Sequence, residues 1–174
     1  MPTATLQSYV ENAKLIMSKE EGLYIALGRT EPWQNEAMPD SAEEDRTDLD
    51  DIIGFKKPER ISLCRPVHEG EQTSYPIVDY LGRKWALIPT EAAQNEGAYH
   101  IYMTTRIDPD DFPLGEYRQV GVYIHINSDK EILLPNDPET EGRMLYFYDN
   151  RQRFNRTEQV SVTESFIINT RNTI

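Results

Sequence analysis

The sequence contains one cysteine, Cys64, and few positively charged residues. A single cysteine excludes an internal disulfide bond and a cysteine-rich zinc site. The 174 residues include 18 lysines and arginines against 30 carboxylates, a net charge of −12, and the basic residues form no run. Because a chain of this charge repels phosphate groups, we expect neither nucleic acid nor an anionic membrane surface as a partner.

Long apolar stretches are also absent from the sequence. No segment approaches the length that a membrane-spanning helix needs. Residues 1–22 are polar and charged, so they lack the apolar core of a signal peptide. Together with the single cysteine, this indicates a protein that folds in a reducing cytoplasm.

The N-terminal segment 1–22 is predicted to form one amphipathic helix over residues 5–19. Leu6, Val10, Ala13 and Met17 recur at helical spacing. This stripe packs on the protein's own sheet or docks on a neighbouring subunit, and the sequence leaves both alternatives open. We treat residues 1–22 as a candidate docking segment.

A strongly acidic stretch follows an early apolar strand at residues 23–27. Between positions 31 and 51, nine carboxylates stand against Arg46 alone. Such a composition favours a solvated loop, with a helical turn near 42–52. We therefore predict a long acidic loop over residues 31–51.

From residue 60 onward, apolar residues alternate with polar ones, which is typical of half-buried β-strands. Prolines between these runs mark loops and sheet edges. The fold is therefore predicted to be mainly β, an antiparallel β-sandwich over residues 23–174 with an N-terminal α-helix and a long acidic loop. The alternating apolar positions are Trp85 and Leu87; Tyr99, Ile101 and Met103; Val120, Val122, Ile124 and Ile126; and Val160, Val162, Phe166 and Ile168.

No pattern of residues points to catalysis, to a metal or to a cofactor. His68, His100 and His125 stand apart in the sequence. His100 and His125 lie in alternating stretches and could approach each other, but a shared metal would still need a third ligand that nothing indicates. Cys64 is interpreted as a small core residue, since a thiolate nucleophile needs a positioned histidine. Phosphate-binding, serine-nucleophile and dinucleotide motifs do not occur.

Two groups of residues suggest anchors or interfaces. Asn150 and Arg151 follow an aromatic strand at 145–148 and predict a hairpin turn. Either the turn stands alone, or Arg151, Arg153 and Arg156 also form a small basic patch that faces an acidic neighbour. Trp33 is interpreted as a partly buried anchor of the loop, with a ligand platform as the alternative.

In their order along the chain, these pieces resemble the baseplate wedge proteins of contractile-tailed, T4-type bacteriophages. The resemblance is to the family of wedge protein eight, of which this chain would be a short member. It covers most of residues 22–169. The matching positions are Gly28, Arg29, Pro32 and Trp33 near the start, and Gly142, Tyr146, Asn150, Arg151, Gln159 and Phe166 near the end.

The resemblance implies a structural virion protein with a β-sandwich fold and without catalytic activity. Such a protein assembles with other wedge proteins and tail components around the tail hub, and it takes part in the baseplate rearrangement on host attachment and tail contraction. Self-association is a further expectation, with assembly in the host cytoplasm and a final location in the tail baseplate. The candidate interface and anchor residues are Arg29, Pro32, Trp33, Tyr146, Asn150, Arg151 and Arg153.

Two other functions remain as alternatives. A host-attachment module of the tail would bind carbohydrate through tyrosine and tryptophan rings, and it predicts saccharide binding by the isolated chain. A cell-wall hydrolase would need paired carboxylates or a metal in a cleft. With 30 acidic residues, some pair of carboxylates always lies at a suitable distance, so this criterion does not discriminate.

Overall fold

The computed structural model describes residues 1–172. The protein is mainly β, with two antiparallel sheets and few helices, which confirms the predicted class. Face-to-face packing of the sheets as a sandwich stays a prediction. The elements are α1 Leu6–Met17, β1 Tyr24–Gly28, β2 Gly54–Lys56, β3 Arg60–Pro66, β4 Ile77–Tyr80, β5 Arg83–Ile88, α2 Ala93–Glu96, β6 His100–Ile107, β7 Gly115–Ile124, β8 Ile132–Leu133, β9 Met144–Arg156 and β10 Val162–Asn169.

The chain divides into two compact units. Unit 1 comprises Met1–Glu20, Glu59–Thr104 and, within the described residues, 165–172; unit 2 comprises Glu21–Pro58 and Thr105–Glu164. Unit 2 carries 22 carboxylates and 11 lysines and arginines, a net charge of −11, whereas unit 1 carries 8 and 7, a net charge of −1. The acidity of the chain is therefore a property of unit 2.

The sheet of unit 2 has the strand order β8-β2-β1-β7-β9. Its central strand, β1, is apolar throughout and fully buried, and it pairs antiparallel with β2 on one side and with β7 on the other. Tyr24, Phe55 and Tyr123 lie in one core cluster, and the rings of Phe55 and Tyr123 meet edge to face with centroids 5.2 Å apart. This sheet provides a rigid base for the segment between β1 and β2.

The second sheet has the order β10-β6-β3-β5-β4. Within unit 1, Cys64, Trp85 and Leu87 form a core cluster on β3 and β5. Trp85 and Leu87 lie two residues apart, as the alternating pattern predicts for a strand. The His100 ring lies 4.8 Å from the Trp85 ring, centroid to centroid.

The predicted N-terminal helix is confirmed as α1. Thr5 caps it, since the Ser8 amide donates to Thr5 Oγ1 at 3.3 Å and the Thr5 amide donates to Ser8 Oγ at 3.1 Å. The helix packs on other parts of unit 1, namely β3, α2 and residues 170–172. Val10 and Ala13 are fully buried there, so the structure supports the first alternative, packing within the subunit.

One local expectation is wrong, and a second one holds only in part. The backbone of His125 has a φ of 66°, which ends β7 at Ile124, so Ile126 lies beyond the strand and does not continue its face. Residues 42–52 contain no helix, and the predicted helical turn is reduced to one hydrogen-bonded turn, in which the Arg46 amide donates to the Glu43 carbonyl at 3.4 Å. Side chains from the sheet bind the backbone amides of Leu49 and Asp50 that follow. No helix among the described residues combines the length and the apolar character that crossing a membrane requires.

Candidate functional site

Residues 29–53 connect β1 to β2 without forming a helix or a strand. These residues include the predicted acidic loop, yet Trp33 and Leu49 are buried, with exposed fractions of 4% and 5%. We call this stretch the connecting segment. Since it lacks regular hydrogen bonding of its own, its shape depends on partners in β7 and β9.

Arg29 holds the two ends of the connecting segment together. Its guanidinium donates to the Asp50 carboxylate at 2.8 Å and to the Pro32 carbonyl at 3.2 Å, and it stacks over the Trp33 ring at 3.9 Å from the centroid. Arg29 has a φ of 55°, a strained value for a residue with a side chain. The surrounding contacts offset this cost and fix the turn that follows β1.

Trp33 attaches the connecting segment to β9. Its indole Nε1 donates to the backbone carbonyl of Arg151 at 2.8 Å. Burial of a large ring together with one directed hydrogen bond is consistent with Trp33 as an anchor of the loop, and this role stays a prediction. Pro32 beside it is exposed.

Arg118 of β7, which the sequence reasoning missed, is the most deeply buried charged side chain of the site, with 1% exposed. Its guanidinium binds both carboxylate oxygens of Glu36, the carbonyl of Thr30 at 2.6 Å and the carboxylate of Glu116 at 2.8 Å. The hydrogen bonds from Arg118 lower the pKa of Glu36. Such a multidentate pair fixes direction as well as distance.

Tyr123 and Arg143 hold the far end of the connecting segment. The Leu49 amide donates to the Tyr123 hydroxyl at 2.9 Å, and that hydroxyl donates to the Asp48 carboxylate. Arg143 pairs with the same carboxylate at 2.8 Å. Burial, followed by this hydrogen bond to Asp48, raises the pKa of Tyr123, so its hydroxyl stays protonated and can donate.

Leu49 fits against Gly121 of β7. A Cβ on Gly121 would lie 3.1 Å from a methyl carbon of Leu49, closer than most real contacts. Next to it, the Asp50 amide donates to Gln119 Oε1 at 2.8 Å. Burial alone would raise the pKa of Asp50. Its hydrogen bonds to Arg46 and Arg29 outweigh this effect together, so the pKa of Asp50 is lowered.

The middle of the connecting segment is held through its backbone rather than its side chains. Three residues of β9 donate to carbonyl groups there, each about 3 Å away. The pairs are Gln152 with Ala37 at 3.2 Å, Asn150 with Asp40 at 2.9 Å, and Tyr148 with Glu43 at 3.0 Å.

The hairpin turn predicted at Asn150 and Arg151 is wrong, because both residues lie inside β9. Asn150 accepts from Gln119 Nε2 at 2.9 Å, a contact with the neighbouring strand that overrides its turn preference. Arg151 pairs with Asp149 at 3.0 Å and also with Glu164.

The other two arginines of the predicted basic patch differ from each other. The Arg153 side chain is 63% exposed and lies 3.4 Å from a carboxylate oxygen of Glu116. Arg156 is buried and donates to the backbone carbonyls of Asp108 and Pro113, at 2.9 and 2.8 Å. Only Arg153 therefore presents most of its side chain to solvent.

Tyr146 lines a shallow pocket of about 240 Å³ on unit 2, together with Glu43, Arg46 and Tyr148. It also meets the Phe147 ring edge to face at 4.8 Å. The structure thus brings six of the seven candidate interface residues into or beside the contacts of the connecting segment, and Arg153 joins them through Glu116.

The four candidate residues of the docking helix lie in unit 1. Val10 and Ala13 are buried, Met17 is half-buried and Leu6 is 52% exposed. The exposed Leu6 lies 3.5 Å from the Cβ position of Gly97, close to the C-terminal end of α2. Docking of this helix on a neighbouring protein stays a prediction.

Within residues 1–172, no three histidines, cysteines and carboxylates come close enough to hold a metal ion. Burial raises the pKa of Cys64 to about 12, so its thiol is protonated near neutral pH and is a poor nucleophile. Burial, with a smaller effect of Arg83, lowers the pKa of His100 to about 4. The site as a whole fixes the shape of a surface segment.

Two comparisons with known proteins cover almost the whole chain. A model of the family described as baseplate wedge 3 tail fiber network component matches residues 1–170. The chain is also 39% identical over 176 residues to Virion protein 3 of Enterococcus phage phiEF24C, an alignment that covers 99% of this chain and 97% of that protein. The resemblance to phage baseplate wedge proteins is therefore confirmed. The chain belongs to the family of baseplate wedge 3 tail fiber network components and is a structural protein of the phage virion.

Proposed function

We propose that the protein is a wedge subunit of a contractile-tail baseplate, without catalytic activity. It assembles with other wedge proteins around the tail hub in the host cytoplasm, and it takes part in the baseplate rearrangement on host attachment and tail contraction. The observation that carries this proposal is the family match over residues 1–170. The fixed shape of the connecting segment supports it.

A pre-shaped surface suits an assembly protein. Ordering a mobile loop on binding costs conformational entropy, and a loop that is already ordered avoids that cost. Three residues would serve as positioning residues: Arg29 ties the two ends of the connecting segment together, and Trp33 and Asn150 join the segment to β9. Partner contact would then fall to the exposed Arg153 and to Tyr146 at the mouth of its pocket.

The proposal is tested by size-exclusion chromatography with light scattering. The full chain would be analysed alone and after co-expression with each protein encoded beside it. We expect a complex of fixed stoichiometry with at least one of them. Arg153→Glu should weaken that complex, most clearly at low salt, because a rim charge acts mainly through long-range electrostatics.

A matched control is Arg106→Glu, since the Arg106 side chain is 61% exposed, belongs to the same unit and pairs with Asp108. This variant should assemble like the wild type. A monomer that ignores every neighbouring gene product would contradict the wedge role. Glycan binding by that monomer would favour the host-attachment module instead.

A further inference from the structure

An apolar groove of about 450 Å³ opens on unit 2, beside the end of the connecting segment. Leu114 and Leu134 line it and are 41% and 44% exposed. Large apolar side chains that share one exposed groove mark a contact surface more often than isolated ones do. The apolar lining consists of Ile52, Ile53, Pro113, Leu114, Leu134 and Pro135.

Two carboxylates border the groove, Asp51 and Glu116. Glu116 is bound by Arg118 and Arg153. Asp51 is exposed, and among the described residues no lysine or arginine pairs with it; its contact is the Thr30 hydroxyl at 3.4 Å. Its φ of 42° lies in the left-handed region, which aspartate and asparagine tolerate better than most residues. Asp51 is thus a negative charge without a cationic partner among the described residues, at the edge of an apolar surface.

We propose that this groove is the docking site for a different protein of the same baseplate, which inserts a large apolar side chain flanked by lysine or arginine. The inference rests on the proposed function and adds the chemistry of the partner. The apolar side chain would bury Leu114 and Leu134, and the basic residue would pair with Asp51.

Charge selects this occupant over a second copy of the chain. Unit 2 has a net charge of −11, so two such units repel each other when they approach. A basic partner is attracted to the same surface and would associate faster at low salt. An apolar side chain seated in a desolvated groove is typical of the residues that dominate binding energy.

The experiment measures the affinity of the full chain for each of the other purified baseplate proteins of its own virion, by biolayer interferometry. Leu134→Asp and Leu114→Asp place a charge in the groove, and Val160→Asp is the control, since Val160 is 56% exposed in the same unit but does not line the groove. We expect the two groove variants to bind one partner about tenfold more weakly or worse, and the control to bind like the wild type. Circular dichroism establishes that each variant folds, and having two groove variants guards against the failure of one.

The charge contribution is tested with Asp51→Asn, which tolerates the same backbone conformation. This variant should bind more weakly than the wild type at low salt, and its affinity should fall less steeply as salt rises. The control is Asp129→Asn, an exposed carboxylate of unit 2 outside the groove.

The outcomes separate the two proposals. If the wild type binds no other baseplate protein, both the wedge role and the groove assignment fail. If it binds a partner and both folded groove variants bind that partner equally well, only the groove assignment fails. Loss of self-association alone in the groove variants would overturn the choice of a basic, heterologous partner.

Discussion

The two tryptophans provide a matched test of the anchor at Trp33. Trp33 donates from its indole nitrogen to the Arg151 carbonyl, whereas the buried indole nitrogen of Trp85 has no acceptor among the residues the structure describes. Both rings are at least 92% buried, and both lie below an arginine, at 3.9 and 5.4 Å. Replacing each tryptophan with phenylalanine removes the N–H group and a similar apolar area.

The free energies of unfolding should therefore respond differently. Trp33→Phe loses a hydrogen bond with a net value of about 1 kcal/mol. Trp85→Phe removes an unsatisfied buried donor, whose desolvation costs about 1–3 kcal/mol, so it offsets part of the packing loss. Since the loss of ring volume is common to both sites, Trp33→Phe should be the more destabilising change by about 2–4 kcal/mol.

Urea unfolding followed by circular dichroism measures this difference, since each variant removes one of the chain's two tryptophans and alters its fluorescence. Hydrogen exchange at the amides of Leu49 and Asp50 gives a local readout, because both donate to β7 side chains. These amides should exchange faster in Trp33→Phe than in Trp85→Phe. If Trp85→Phe is as stable as Trp33→Phe or less stable, the anchoring role of the Trp33 hydrogen bond is refuted.

Three further predictions concern buried polar groups. The pKa of His100 is about 4 in the folded chain against 6.5 in the unfolded one, so folding favours the neutral ring. The stability that this contributes is present above pH 6.5 and is lost as the pH falls toward 4, by about 2 kcal/mol between pH 7 and pH 5 in urea titrations. His100→Phe should remove this pH-dependent component. Arg118→Met should cost about 3 kcal/mol in the same assay, with Arg118→Lys rescuing little because an ammonium group cannot reproduce the forked contact with Glu36. Cys64 should resist alkylation at pH 8 until urea unfolds the chain; rapid labelling of the native protein would contradict its burial and raised pKa.

The regular elements were largely predictable from local pattern. The stripe that contains Val10 and Ala13 predicted α1, and the alternation around Trp85 and Val120 predicted β5 and β7. These signals survive because a period of 3.6 or of 2 reflects which face is buried, and burial is the main force that selects the element. The end of β7 escaped prediction, since nothing in the pattern indicated the left-handed backbone of His125.

The candidate site was easier to locate from the sequence than its contacts were. Trp33 stands out as a large ring in an acidic stretch, and the structure buries this ring and bonds its indole nitrogen to the Arg151 carbonyl; its anchor role stays a prediction. The local propensity of Asn150 predicts a turn, yet its contact with Gln119 on the neighbouring strand holds it in β9. Arg118 was overlooked because a single arginine in a strand carries no local signal. The available clue was the excess of carboxylates in residues 31–51, because any of them that becomes buried needs a cationic partner from another part of the chain.

The backbone hold on the middle of the connecting segment has an evolutionary consequence. Residues 37, 40 and 43 are bound by β9 through carbonyl groups, which every amino acid supplies. Substitutions at these positions can therefore change the exposed side chains of the segment without breaking the hydrogen bonds that fix its backbone. Relatives of this protein could therefore differ in the side chains that contact neighbouring proteins here while keeping the same backbone conformation.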